Sequence, residues 1–116
     1  MEFERLKKEI GEFCAARDWD PYHDIKELSI GMITEASELL EIVRSRSVAE
    51  SEALLAAPEE RVKIEDELAD VLFFLLRISG KYDVDLAAAL DRKMRKNAVK
   101  YPVEKARGNN RKYDQL

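Results

Sequence analysis

Two short motifs, EASE (Glu35 to Glu38) and ELAD (Glu67 to Asp70), each carry a pair of carboxylates three residues apart. In an α-helix that spacing brings both acids onto one face. At ~100° per residue, with Glu35 set at zero, Leu28, Leu39 and Ile42 fall within about 40° of it and Glu38 about 60° to one side. With Glu67 at zero, Val71, Phe74 and Ile78 fall within about 40° and Asp70 about 60° to one side. Each motif therefore sets one acid inside an apolar stripe and one at its edge. Gly31 shares the stripe of Glu35, where a missing side chain lets a neighbour approach closely.

An uncompensated buried carboxylate is costly, and a cluster of them repels itself. Two kinds of compensation are open. Lys63 and Arg77 lie near the acid edge of the second motif and could pair with it. A hard cation could instead be held by the oxygens, and an oxygen-only donor set suits Mg²⁺ or Mn²⁺. One His and one Cys are too few for a zinc site of the usual type, and His23 is not in the Glu-x-x-His pair that a di-iron bundle would use. A single ExxE is commonly a solvated helix face. Two such pairs on two apolar stripes point to a metal.

The elements that must position these acids are helices. Ala, Leu, Glu, Lys and Arg dominate, with only 4 Gly and 3 Pro in 116 residues, which favours an all-α fold in one domain, 1–116. The first helix is expected over Glu2 to Ala16, with Cys14 as a small core residue on its apolar face. RDWDPYHD interrupts the pattern. The second helix starts at Asp24, which has capping-box spacing to Glu27, and runs to about Arg46. Ser47 to Ala57 connects, with room for a short helix through AESEALLAA. The third begins at Pro58 and ends near Ser79, with Gly80 as a left-handed cap. The fourth, capped by Asp83 or Asp85, carries Leu86, Leu90 and Met94 on one face and stops before Pro102. The tail, 102–116, is basic and irregular.

The net charge of −4 leaves no basic footprint for nucleic acid or an anionic membrane. The longest apolar run, Val71 to Leu76, is too short to span a bilayer, and MEFERLKKEIGEF lacks the apolar core of a signal peptide. The expectation is a soluble cytoplasmic protein. Apolar residues on more than one face of the third helix, Phe73 and Leu76 beside Val71 and Phe74, suggest contacts between subunits.

With EASE followed by ELAD, the sequence resembles the MazG-like, all-α nucleoside triphosphate pyrophosphohydrolases, and among them the dCTP pyrophosphatase branch. FCAARDWDPYH, DVLFFLLRI, VDLAAALDRKMRKNAVKYP and ARGNNRKY carry the resemblance from about Phe13 to the end. It implies a four-helix bundle assembled as a homodimer or a dimer of dimers. It implies Mg²⁺ on Glu35, Glu38, Glu67 and Asp70, and cleavage of a (d)NTP between the α and β phosphates to a nucleoside monophosphate and pyrophosphate. Water would attack the α-phosphorus in line, with no protein nucleophile. Glu41, one turn beyond Glu38, is a candidate to hold or deprotonate that water; on its own it reads as a solvated glutamate.

On the fourth helix Lys93, Asn97 and Tyr101 recur every fourth residue. Alone they read as surface residues; the resemblance implies contacts to phosphate or sugar. Arg107, Lys112 and Tyr113 in the tail could close over phosphate. Trp19 and His23 stand where the resemblance implies the nucleobase, an indole to stack and an imidazole to hydrogen-bond an edge. Trp19 could equally staple the first loop to the core. Members of the branch carry a second tryptophan shortly after the ExxE motif; Ser45 stands near that position here, so dCTP-like pyrimidines are favoured without the base being fixed. The same fold acting on dUTP or damaged purine triphosphates, and a non-catalytic nucleotide-binding helical module, are the alternatives. Intact ExxE and ExxD argue against the last.

Overall fold

The computed structural model describes residues 2–116. Six α-helices follow in order: α1 (Glu2–Ala16), α2 (Ile25–Val43), α3 (Val48–Ala56), α4 (Pro58–Tyr82), α5 (Leu86–Lys100) and α6 (Val103–Ala106). Short 3₁₀ turns lie at Asp20–Tyr22 and Tyr113–Gln115, and there is no strand among the described residues. The all-α expectation holds. None of these helices is long and apolar enough to cross a membrane.

The chain gathers into two compact units. One extends to Asp83 and the other runs Val84–Leu116. In the first, α4 is the hub, and α1, α2 and α3 all pack on it. Its buried apolar residues come from every helix: Cys14 from α1, Leu28 from α2, Leu54 from α3, and Ile64 and Leu76 from α4. The stripe expected around Glu35 is thus buried at Leu28. In that expected around Glu67, Val71, Phe74 and Ile78 are half-buried while Ile64, one turn before Glu67, is buried. The close approach foreseen at Gly31 is made by α4, since a Cβ on Gly31 would collide with the ring edge of Phe74.

Local chemistry explains the ends of the helices. Asp24 caps α2 by accepting from the Glu27 amide at 2.8 Å. α2 stops at Val43, earlier than its periodicity suggested, where Arg46 turns back to donate through Nε to the Ile42 carbonyl. The connection does hold a helix, α3. Ser47 starts it with a complete capping box, its hydroxyl accepting from the Glu50 amide while Glu50 accepts from the Ser47 amide. Pro58 opens α4 as expected.

The stop of α4 differs from expectation. Gly80 stays helical, the helix runs to Tyr82, and Asp83 takes the left-handed conformation at φ 54°. The extra turn is held by Lys81, whose ammonium donates to the Asp20 and His23 carbonyls. Asp, with its short polar side chain, tolerates the left-handed region better than most residues. With Asp83 used to end α4, Asp85 caps α5 by accepting from the Ala88 amide. α5 ends at Lys100, before Pro102, and the tail is less irregular than expected because Val103–Ala106 forms one helical turn.

Apolar side chains are also left outside. Leu76 is buried and so is not the surface the sequence suggested, while Phe73 is half-buried and packs edge-on against Phe13. Exposed ones on the two central helices include Ile33 and Leu40 on α2 and Leu68 and Leu72 on α4.

Candidate functional site

The acids of the two motifs meet across the α2–α4 contact. Glu35, Glu38 and Glu67 each offer a carboxylate oxygen within 4.8 Å of the others. Gly31 makes this possible one turn before Glu35. Phe74 seats in the space where a side chain would stand, so α2 and α4 come close enough for their acids to converge. Glu38 is exposed, while Glu35 and Glu67 are half-buried. Asp70, exposed and one turn beyond Glu67, lies outside that set of oxygens, but its charge acts on both Glu35 and Glu67.

The crowding leaves an electrostatic deficit. Burial, above all, and then Glu38 and the charge of Asp70 push the Glu35 carboxyl up to about 7. Burial, followed by Glu38, also raises Glu67. One oxygen of each, Oε2, is buried with no hydrogen-bond partner. The basic compensation open in the sequence is not used. Lys63 pairs with Glu60 at 3.2 Å, and Arg77 turns to Asp20 and His23. Two orphaned carboxylate oxygens and a third carboxylate, with no ammonium or guanidinium among them, fit a hard divalent cation. Glu41 pairs instead with Arg44 at 2.9 Å on an exposed face.

Trp19 and His23 sit at the turn between α1 and α2. Trp19 is 37% exposed and packs edge-on against Phe13 and His23, at ring-centroid distances of 5.6 and 5.9 Å. It is stapled to the fold, as one of the two readings had it, and still presents part of its indole outward. Arg77, only 9% exposed, donates from Nε to His23 Nδ1 at 3.0 Å and from Nη2 to Asp20 Oδ1 at 3.2 Å. Burial, then the charges of Arg77 and Lys81, holds the imidazole pKa below its ordinary value. In the clamp of Asp20, Arg77 and Lys81, Asp20 and Lys81 were not singled out from sequence, and Arg77 was singled out only as a partner for the acids of the second motif. The signal was Arg77 and Lys81 standing four apart on a helix face, one of them inside an apolar run.

In the second unit, Lys93 is exposed and Asn97 half-buried on α5, and Tyr101 follows as the residue that ends the helix. Tyr101 meets Tyr113 edge-on at 6.1 Å, and Lys100 lies over the Tyr113 ring at 4.8 Å. Arg107 closes α6 and is exposed, and Lys112 precedes the final turn. The tail thus folds back on the end of α5 through Tyr113.

Residues 30–116 match the sequence model of the MazG-like family. The chain belongs to the MazG-like family. It is 35% identical to dCTP pyrophosphatase 1 of Rattus norvegicus and 34% identical to that of Homo sapiens, each over 113 residues, 97% of this chain and 66% of the relative's length. The chain thus spans just under two thirds of these relatives. The crystal structure of a pyrophosphatase from Archaeoglobus fulgidus superposes with a TM-score of 0.81 at 36% identity, covering 88% of this chain and 94% of that one. The helical arrangement around EASE and ELAD is therefore a MazG-like fold, and the matched region contains both motifs.

Proposed function

We propose that this MazG-like protein is a Mg²⁺-dependent nucleoside triphosphate pyrophosphohydrolase that converts a (d)NTP, with dCTP-like pyrimidines favoured, to the monophosphate and pyrophosphate. The observation that carries it is the convergence of Glu35, Glu38 and Glu67 with two buried, unpartnered carboxylate oxygens. Similarity to proteins named dCTP pyrophosphatase 1 and to an archaeal pyrophosphatase supports the reaction class.

Glu35, Glu38 and Glu67, with Asp70 beside them, would hold the cation; Mn²⁺ would also suit these oxygens. When bound, such a cation neutralises charge on phosphate oxygens and favours in-line attack of water at the α-phosphorus. The protein groups do the rest by position. Glu35 and Glu67, on two packed helices, fix the site to a rigid frame. Their depth limits competing water on that side. Glu38, the exposed member of the set, completes it from the solvent side, and Glu41, one turn beyond, is the candidate to hold or deprotonate the attacking water. Lys93, Asn97, Tyr101 and Arg107 are assigned to phosphate and sugar, and Trp19 and His23 to the base. The exposed Ile33, Leu40, Leu68 and Leu72 support assembly of copies into a homodimer or a dimer of dimers.

A pyrophosphate-release screen over the common and modified nucleoside triphosphates, with Mg²⁺, with Mn²⁺ and with chelator, tests this reading. Equimolar monophosphate and pyrophosphate, formed only with metal, is the expected result. No release from any triphosphate under any metal would overturn it and leave a nucleotide-binding module. Preference for dUTP or a damaged purine triphosphate would move the substrate and keep the reaction.

A further inference from the structure

The Arg77–His23 contact determines more than the shape of a loop. A guanidinium nitrogen can only donate, so the ring nitrogen that accepts from Arg77 Nε must carry a lone pair. A neutral imidazole has one proton to place. With Nδ1 taken as acceptor, that proton sits on Nε2. Nε2 makes no hydrogen bond within the described residues and is not among the buried, unpartnered polar atoms, so it is open to an incoming group. The charged groups facing the ring are Arg77, Lys81 and Asp20. The two cations discourage a second ring proton. Asp20 is already engaged by Arg77 and Lys81.

The rest of the loop is held as firmly. Lys81 ties down the Asp20 and His23 carbonyls, and Trp19 packs edge-on against the ring. The imidazole is therefore kept in one orientation and one tautomer from a single buried side chain.

We infer that Arg77 is a positioning residue that sets the hydrogen-bond polarity of the base site, presenting His23 Nε2–H as a donor to a ring acceptor of the substrate. This rests on the reading of His23 as a base contact. It makes that reading specific. Cytosine offers lone pairs at N3 and O2, whereas uracil and thymine carry a proton at N3. A fixed donor matches the first and opposes an N3–H. A site that rejects by leaving a polar group unpaired discriminates more sharply than one that relies on size.

Because His23 is the single histidine of these 116 residues, ¹⁵N-histidine labelling of this chain reports one imidazole. At pH 7.5 the wild type is expected to show Nδ1 unprotonated and Nε2 protonated. Arg77→Met, which keeps bulk and removes the donors, is expected to lose the lock, giving averaged nitrogen shifts and a higher imidazole pKa. Arg77→Lys keeps charge but not the Nε donor, and is expected to lose the tautomer lock as well. In steady state with Mg²⁺, kcat/KM for dCTP over that for dUTP should fall roughly 10-fold in both variants, the worth of one well-placed hydrogen bond. A wild-type ring protonated at Nδ1, or doubly protonated, would overturn the inference even if no variant folds. A lock that disappears while the dCTP to dUTP ratio stays unchanged would also overturn it, since the donor would not then be reading the base. Wild-type protein that hydrolyses no triphosphate would instead refute the proposed reaction, with the nitrogen spectrum still deciding the role of Arg77.

Discussion

Replacing Glu35 with Gln should make the metal-free protein more stable above neutral pH. A carboxyl held at about 7 in the fold and near 4.5 when exposed keeps a proton that the unfolded chain has released. Below pH 4.5 both states are protonated and the burial has no electrostatic cost. As pH rises from 4.5 towards 7, the folded state binds more protons than the unfolded one, so stability falls. Above 7 the penalty is complete. At about 1.4 kcal/mol per pKa unit it reaches at most roughly 3.5 kcal/mol, and the half-buried position screens it to about 1–2 kcal/mol. Gln removes the charge, and its amide can donate to Glu38 or Glu67. For a chain of this size the gain corresponds to a rise in Tm of about 4–8 °C at pH 8 with chelator. The melting curves of the two proteins should converge near pH 4.5. Adding Mg²⁺ at pH 8 should stabilise the wild type more than the variant, because binding to the folded state alone raises stability. A Glu35→Gln protein that melts at or below the wild type at pH 8 in chelator would refute the claim that Glu35 is a strained, uncompensated acid.

Glu38→Gln or Asp70→Asn should abolish Mg²⁺-dependent turnover, read as pyrophosphate release; full activity in either would sink that residue's assignment to the metal. Trp19→Ala should raise KM much more than it lowers kcat, and the single tryptophan of the wild type should change its fluorescence on titration with dCMP; a flat titration would remove Trp19 from the base site. Gly31→Ala should destabilise by about 1–3 kcal/mol, since the added methyl meets the Phe74 ring and forces α2 and α4 apart. It should also weaken metal affinity in a calorimetric titration, and a variant with wild-type Tm would contradict the close packing.

The acids were legible because helical periodicity is a local property. Glu35 and Glu67 both fall among apolar neighbours on their own helices, with Leu28 buried beside the first and Val71, Phe74 and Ile78 half-buried beside the second. Gly31 was legible for the same reason, although not what would fill its gap. What could not be read was the choice between partners far apart in sequence. Lys63 and Arg77 both looked able to neutralise Glu67; Lys63 instead pairs within its own helix with Glu60, and only packing shows that Arg77 serves the α1–α2 turn. Gly80 looked like a stop because glycine is a frequent one. A lysine one residue on, bonded to carbonyls some sixty residues away in the chain, outweighed that local preference. The start of α3, by contrast, was written in the S-x-x-E spacing of Ser47 and Glu50.

One helix carries both halves of what has been described. Glu67 and Arg77 stand ten residues apart on α4, with no break between them. At 1.5 Å per residue that is a separation of ~15 Å along the axis. The acids and the Trp19–His23 turn are therefore graduations on one ruler. Hydrogen-bonded backbone does not stretch, so a ligand reaching from one to the other is measured by length before any side chain recognises it. Inserting or deleting one residue between them would shift that scale by ~1.5 Å and swing one end by ~100°. Point substitutions along the same stretch leave the gauge intact.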